Sequence, residues 1–360
     1  MVPHLARCVL TTAVLVGAAK LRALDIQFTV DANNAPNAQA LAGFEQAAQV
    51  WESLLSNNVN VYVQIGMSNF GAENSNIIGQ AGSEFYVGTY TELRDAMIAT
   101  GQSTTDAIAL AQLPTGSTYT RLINYTADSP TPASTPWLNT TDSILISGGN
   151  ARALGLLQNS FYAIDAAIEF NTAFAFDYDR SNGIGAQEMD FVGVAIHEIG
   201  HALGFNSVGD FLDYNQSTGA TALNGWTAAD FASTPLDLFR YSVASIAASN
   251  LYNQYITDVS VGTAAQSILI GDLELQMSTG VNYGNGQQAS HFLDNLGIGV
   301  MDPTASFGEE INITANDLIA LDAIGWNLTS NAIPEPSTYG IGLGGLALAV
   351  AIGCRKRQKT

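Results

Sequence analysis

His197-Glu198-Ile199-Gly200-His201 sets two imidazoles four residues apart with a carboxylate between them. Residues i and i+4 share one face of a helix, so both rings can reach one metal ion, and the adjoining carboxylate can take a proton from water at that ion. A catalytic zinc takes three protein ligands and keeps a fourth position for water. Of four histidines, His4 lies in the N-terminal leader, which leaves His291 as the other imidazole of the body. It stands in Ser290-His291-Phe292, ninety residues past His201 and just ahead of Gly299-Val300-Met301-Asp302-Pro303. We read His291 as the third ligand, because imidazole suits zinc. Asp210, nine residues after His201, is its rival, and Asp213, Asp302 and Glu309 are the remaining acids that could serve. The alternative without a metal is a helix with two core histidines and a solvated glutamate. The preceding run Phe191 to Ile196 is apolar all round, which buries the helix. Buried imidazoles and a carboxylate then require partners or a metal.

Several elements must position this helix. Asp25 to Val30 alternates and predicts a strand, as do Asn60 to Gly66 and Asp165 to Phe170. Leu41, Phe44, Ala48, Trp51 and Leu54 lie near helical spacing within Ala40 to Leu55. Tyr90 to Thr100 reads as a short helix. Gly204 suits the chain reversal after the metal helix. Thr314 to Ile324 reads as a last helix, with Thr314 as N-cap and Gly325 as stop. Asp177-Tyr178-Asp179-Arg180-Ser181-Asn182-Gly183 spaces oxygen ligands roughly as calcium loops do, with the glycine one place late. It reads either as a Ca2+ loop or as a polar turn. Phe161, Phe170, Phe174 and Phe176 read as core residues. In Thr234 to Arg240, Asp237 or another acid is expected to pair with Arg240.

Both ends carry addresses. Residues 1–24 read as a secretory signal, with Arg7 in a basic start, an apolar stretch from Cys8 to Ala19 and small residues for cleavage. Cys8 is not a lipoprotein cysteine, because no apolar run precedes it. Residues 334–360 run Pro334-Glu335-Pro336, then an apolar stretch from Tyr339 to Gly353, then Arg355, Lys356, Arg357 and Lys359. That order resembles the PEP-CTERM sorting signal of bacteria with an outer membrane. The resemblance implies an exosortase-type membrane protease that removes the tail, and a membrane contact only before processing. An ordinary tail anchor is the alternative, and its apolar stretch is short for a bilayer helix, which needs about 17 to 25 residues.

The body between the two segments, 25–333, holds five arginines, no lysine and 31 carboxylates, for a net charge of −26. Such a surface repels nucleic acid and anionic lipid and favours solubility outside the cell. Both cysteines, Cys8 and Cys354, fall in the targeting segments, so the body has neither a disulfide nor a thiol that could block a metal.

Strand, helix, strand, further strand, metal helix, a turn with a methionine and a last helix: this order resembles the metzincin zinc peptidases. The carrying residues are His197, Glu198, His201, Gly204 and Met301. Most metzincins place the third histidine where this chain has Ser207, a poor ligand. Leishmanolysin-like members bring it from beyond a long insertion, shortly before the methionine turn, and His291 followed by Met301 is similar to that arrangement. The resemblance implies an α+β, metzincin-like zincin fold, with a twisted mixed sheet on the active-site helix and a C-terminal subdomain after it. A single metalloprotease domain, 25–333, would then divide into 25–204 and an insertion with C-terminal subdomain, 205–333. It further implies a secreted zinc endopeptidase with Glu198 as general base and Met301 as an apolar base under the metal. The strand near Ala166 to Phe170 would pair with an extended peptide substrate. Tyr283 stands as the nearest match to the tyrosine that metzincins often add. Two other readings stay open: a surface or extracellular-matrix binding protein that keeps a metalloprotease fold, and a zinc hydrolase acting on a non-peptide bond.

Overall fold

The computed structural model describes residues 24–158, 164–217, 225–330 and 332. The export leader, Phe161 and the sorting tail lie outside the described residues. Alternating apolar residues build the sheet that carries the site. The strands β1 (Asp25–Val30) and β2 (Asn60–Ser68) pair in parallel, with Phe28 opposite Val63. Parallel pairing needs a crossover, and α1 (Ala38–Leu54) supplies it, with the Asn37 side chain accepting from the Ala40 N–H. An edge strand, β3 (Gly79–Ser83), and an inner strand, β4 (Ala166–Asn171), complete the order β1-β2-β4-β3. β4 runs parallel to β2 and antiparallel to β3. Val61, Val63 and Ile65 turn together into the core, as their alternation requires.

On this sheet lies α2 (Phe191–Leu203), the helix of the histidine motif. Every residue of it except His197 is buried. The rings of Phe44, Phe170 and Phe191, from α1, β4 and α2, meet with centroids 4.7 to 5.1 Å apart. Gly43 admits that contact, because a Cβ there would sit 2.4 Å from the Phe191 ring. Two indoles fasten the helix further. Trp51 Nε1 donates to the Ile196 carbonyl at 3.0 Å, and Trp326 Nε1 to the Leu203 carbonyl at 2.7 Å. Asp190 caps the start of α2 through the Gly193 N–H and is paired with Arg180.

Gly204 ends α2 with φ of +119°, a backbone that side chains rarely adopt. The Gly204 N–H reaches the His201 carbonyl and the Phe205 N–H reaches that of Gly200, a paired closure of the last turn. Beyond it come α3 (Gly209–Ser217), a helix at Val243–Tyr252 and a hairpin of Gln266–Ile270 and Leu273–Met277. The strand Ile256–Asp258 pairs in parallel with Tyr119–Ile123, so chain from before and after Gly204 shares one sheet. The last helix, α4 (Ala315–Ala323), starts at Thr314 as expected, and Gly325 follows it with φ of +104°. No helix among the described residues is long and apolar enough to cross a membrane.

Candidate metal centre

The helical spacing of His197 and His201 brings both rings to one side of α2, and the chain returns ninety residues later with His291. The three Nε2 atoms form a triangle with edges of 3.1, 3.1 and 3.2 Å. Each Nδ1 faces a carbonyl oxygen: Val300 at 2.7 Å for His197, Phe205 at 2.7 Å for His201, and Gln288 at 3.3 Å for His291. Carbonyls only accept, so Nδ1 carries the proton and Nε2 presents its lone pair. Three lone pairs therefore converge on one point, and they repel unless a cation lies among them. A proton is a poor candidate. Burial holds the His201 pKa down at about 3, helped by His197, and holds that of His291 well below its ordinary value. A metal ion is the better fit, since two nitrogens about 2.0–2.1 Å from one tetrahedral zinc lie about 3.3 Å apart. Among the described residues this triad is the one group of three such side chains close enough to share an ion.

Glu198 lines a cleft of about 660 Å³ that also contains His197 and His291. It is buried, accepts no hydrogen bond from a described residue, and burial raises its pKa to about 8. A cation at the triad would oppose that rise. Gly79 of the edge strand makes room for the carboxylate, because a Cβ there would come within 2.9 Å of Glu198 Oε1. That strand, not the one at Ala166–Asn171, lies open beside the cleft. The expected substrate-pairing strand β4 is enclosed between β2 and β3, so its backbone is already paired on both sides.

Met301 lies beneath the helix, fully buried, with its sulfur 2.5 Å from where a Cβ on Gly200 would stand. The glycine inside the histidine motif is thus required by the methionine turn. Asp317 of α4 holds that turn: it accepts from the Val300 N–H at 2.9 Å and the Met301 N–H at 3.2 Å. Val300 in turn offers its carbonyl to His197. Sequence reasoning missed Asp317 and Gly79, although Thr314-Asn316-Asp317 carried the capping signature that could have marked the first.

The rival ligands are accounted for. Asp210 takes no place in the triad. Its Oδ1 accepts from the Ala289 N–H and its Oδ2 from the Ser290 N–H at 3.1 Å and from the Ser290 hydroxyl, so it fastens the segment that presents His291. Ser207, at the usual third-ligand position, donates to Asp237 at 2.7 Å instead. Asp237 lies 3.8 Å from Arg240, the expected pair. Asp213 accepts from the backbone of Asn282 and Tyr283. Asp302 lines the cleft, and Glu309 accepts from the Ser306 N–H. Tyr283 is not among the cleft residues and packs at a tilt against Tyr125, with ring centroids 5.5 Å apart. In the loop read as a possible calcium site, Asp177 and Asp179 turn their carboxylates to the N–H groups of Asp179, Ser181 and Gly185. Phe170 and Phe176 are buried in the core, and Phe174 packs against it.

The PEP-CTERM protein-sorting motif matches residues 332–358. The match marks the chain for export and surface sorting in bacteria and for recognition by exosortase-type machinery. Curated proteins and solved structures give no match.

Proposed function

We propose that the chain is an exported zinc-dependent endopeptidase of metzincin-like zincin fold, with the leishmanolysin-like arrangement of its third ligand. It would act at the cell envelope, cell surface or extracellular matrix of a bacterium with an outer membrane. The carrying observation is the convergence of three Nε2 lone pairs next to a buried, unpartnered carboxylate in an open cleft. His197, His201 and His291 would hold the ion. When bound, zinc lowers the pKa of water toward about 7 and polarises a carbonyl oxygen. Glu198 stands beside the triad without being part of it. It would take the water's proton and hand it to the leaving amine. The free edge of β3 offers backbone N–H and C=O groups to an extended peptide. Glu198 is only 5 % exposed, and the Val300 carbonyl keeps the His197 ring in its ligating tautomer.

A binding protein with a retired site has no use for a carboxylate buried without a partner, since burying one costs free energy. That observation favours the enzyme over the surface-binding reading. The test is zinc content and casein cleavage by the purified full-length chain, with and without a chelator. Cleavage should vanish on chelation and return with zinc. Glu198→Ala should keep stoichiometric zinc and lose at least about a hundredfold in turnover, the scale of a general base. Near-normal turnover by that variant would end the general-base assignment.

A further inference from the structure

The cleft that contains Glu198 has no cationic side chain on its walls. One wall is β3 and the residues before it, and the other is Val300 to Ala305 with Ile311. Val300, Ala305 and Ile311 give the second wall an apolar surface, and Asp302 is set into it. Val194 of α2 adds an apolar side chain next to Gly79. Asp302 is half-buried. Its Oδ1 accepts from the Thr304 N–H at 3.1 Å, and its Oδ2 accepts from no described residue. Thr304 Oγ lies 2.7 Å from Asp294, and Glu309 is also close enough to act on Asp302. Burial, then Asp294 and Glu309, raise the Asp302 pKa, as expected where no cation balances the charge. These carboxylates do not come together as metal ligands, since the histidine triad is the one such group among the described residues. Glu198, more than nine-tenths buried and without a described partner, opens on the same cleft. An ion held by the triad would balance Glu198, so Asp302 is the carboxylate whose counter-charge must arrive with what enters.

A second observation is independent of the cleft. The body has no lysine, and the chain's lysines lie only in the leader (Lys20) and the tail (Lys356, Lys359). Of its five arginines, Arg121, Arg152 and Arg240 are at most 1 % exposed. Arg180 is paired with Asp190, and half-buried Arg94 donates to the Thr115 carbonyl at 2.8 Å. No lysine or freely exposed arginine is present on the described surface.

We propose that the cleft selects polypeptides with lysine or arginine beside the scissile bond, and that the enzyme is built to lack such a site itself. The aliphatic stem of the basic residue would lie along Val194 and Ile311, and its charged head would meet Asp302. Long basic side chains combine an apolar stem with a charged tip, which is the pattern of this wall. A carboxylate half-removed from water attracts such a head more strongly than an exposed one. The exported, processed chain would then resist its own activity at high local concentration.

This rests on the peptidase reading, and the experiment separates the two. The zinc-loaded full-length chain is given casein, and the new termini are mapped by mass spectrometry. Peptides that differ only in Lys, Arg, Leu or Glu at the mapped position are then compared. Termini concentrated at Lys and Arg, and kcat/KM about tenfold higher for Lys than for Leu at low salt, are expected. Asp302→Asn should reduce the Lys-to-Leu ratio at least fivefold, and Asp302→Lys should invert it in favour of Glu. Cleavage without regard to basic residues, or a ratio unchanged in Asp302→Asn, overturns the selectivity while leaving the peptidase standing. No cleavage of casein at all overturns both.

Discussion

At the scale of single residues, the site depends on where lone pairs point. His291 supplies one of three converging nitrogens, whereas Asp210 holds the backbone at Ala289 and Ser290 and the Ser290 hydroxyl. His291→Ala should therefore cost zinc affinity by orders of magnitude. Asp210→Ala should cost about 10- to 100-fold, the usual range for a group that orients a ligand. Competition with a chromophoric chelator measures both, and an Asp210 variant weaker than the His291 variant would reverse their roles. The same burial sets a pH dependence. His201 titrates near 6.5 when unfolded and at about 3 when folded, so the folded state binds fewer protons in between. Its contribution is complete above 6.5 and is lost as pH falls through that value, at up to about 1.4 kcal/mol per pH unit. Raised carboxylates such as Asp317, at about 6, pull the other way below that pH. The difference between chelated wild type and chelated His201→Leu isolates the imidazole. Urea midpoints from pH 7.5 to 5.5 should fall more steeply for the wild type, and parallel profiles would contradict the shift.

At the scale of elements, the metal helix and the methionine turn form one packed unit. Replacing Gly200 by alanine gains about 1 kcal/mol of helix propensity. It also drives a methyl into Met301 Sδ at 2.5 Å, in a side chain only 1 % exposed that has nowhere to move. Overpacking of this kind costs about 1 to 3 kcal/mol, so the collision should win. Thermal denaturation of Gly200→Ala should show a lower midpoint, and a higher one would mean that Met301 can yield. Elements with strong periodicity were legible in the sequence: Asp25–Val30, Tyr90–Thr100, the buried metal helix and the Thr314 cap all lie where pattern placed them. β3 was not, because Gly79-Gln80-Ala81-Gly82-Ser83 is small and weakly patterned and becomes a strand only by pairing with β4. The resemblance implied substrate pairing at the strand near Ala166 to Phe170, and only the pairing with β3 shows that strand to be enclosed. The triad was legible because histidine is scarce. The supports Asp317, Asp210 and Gly79 were not, since each acts through a contact made far along the chain.

At the scale of the whole molecule, the sorting address follows directly in sequence on a body that is tied off at its end. The body closes on itself before the tail begins. The Ser56 N–H donates to the Asn327 carbonyl at 2.7 Å, and the Thr329 N–H to the Leu54 carbonyl at 2.8 Å, which ties the chain end to the end of α1. Trp326 is fully buried against α2, and Ala332 is 5 % exposed. The sorting motif starts at residue 332, the last described residue. The histidine triad, Glu198, Met301 and Asp317 all belong to the closed body. Removing residues 334–360 should therefore leave the thermal midpoint of the purified protein unchanged within about 1 °C, less than the roughly 1.5 °C shift from a loss of 1 kcal/mol in a domain of this size. Zinc content and casein cleavage should also persist, while the truncated chain fails to reach the cell surface in fractionation. A truncated protein that no longer folds, or that loses zinc, would show that the tail packs as part of the core rather than serving only as an address.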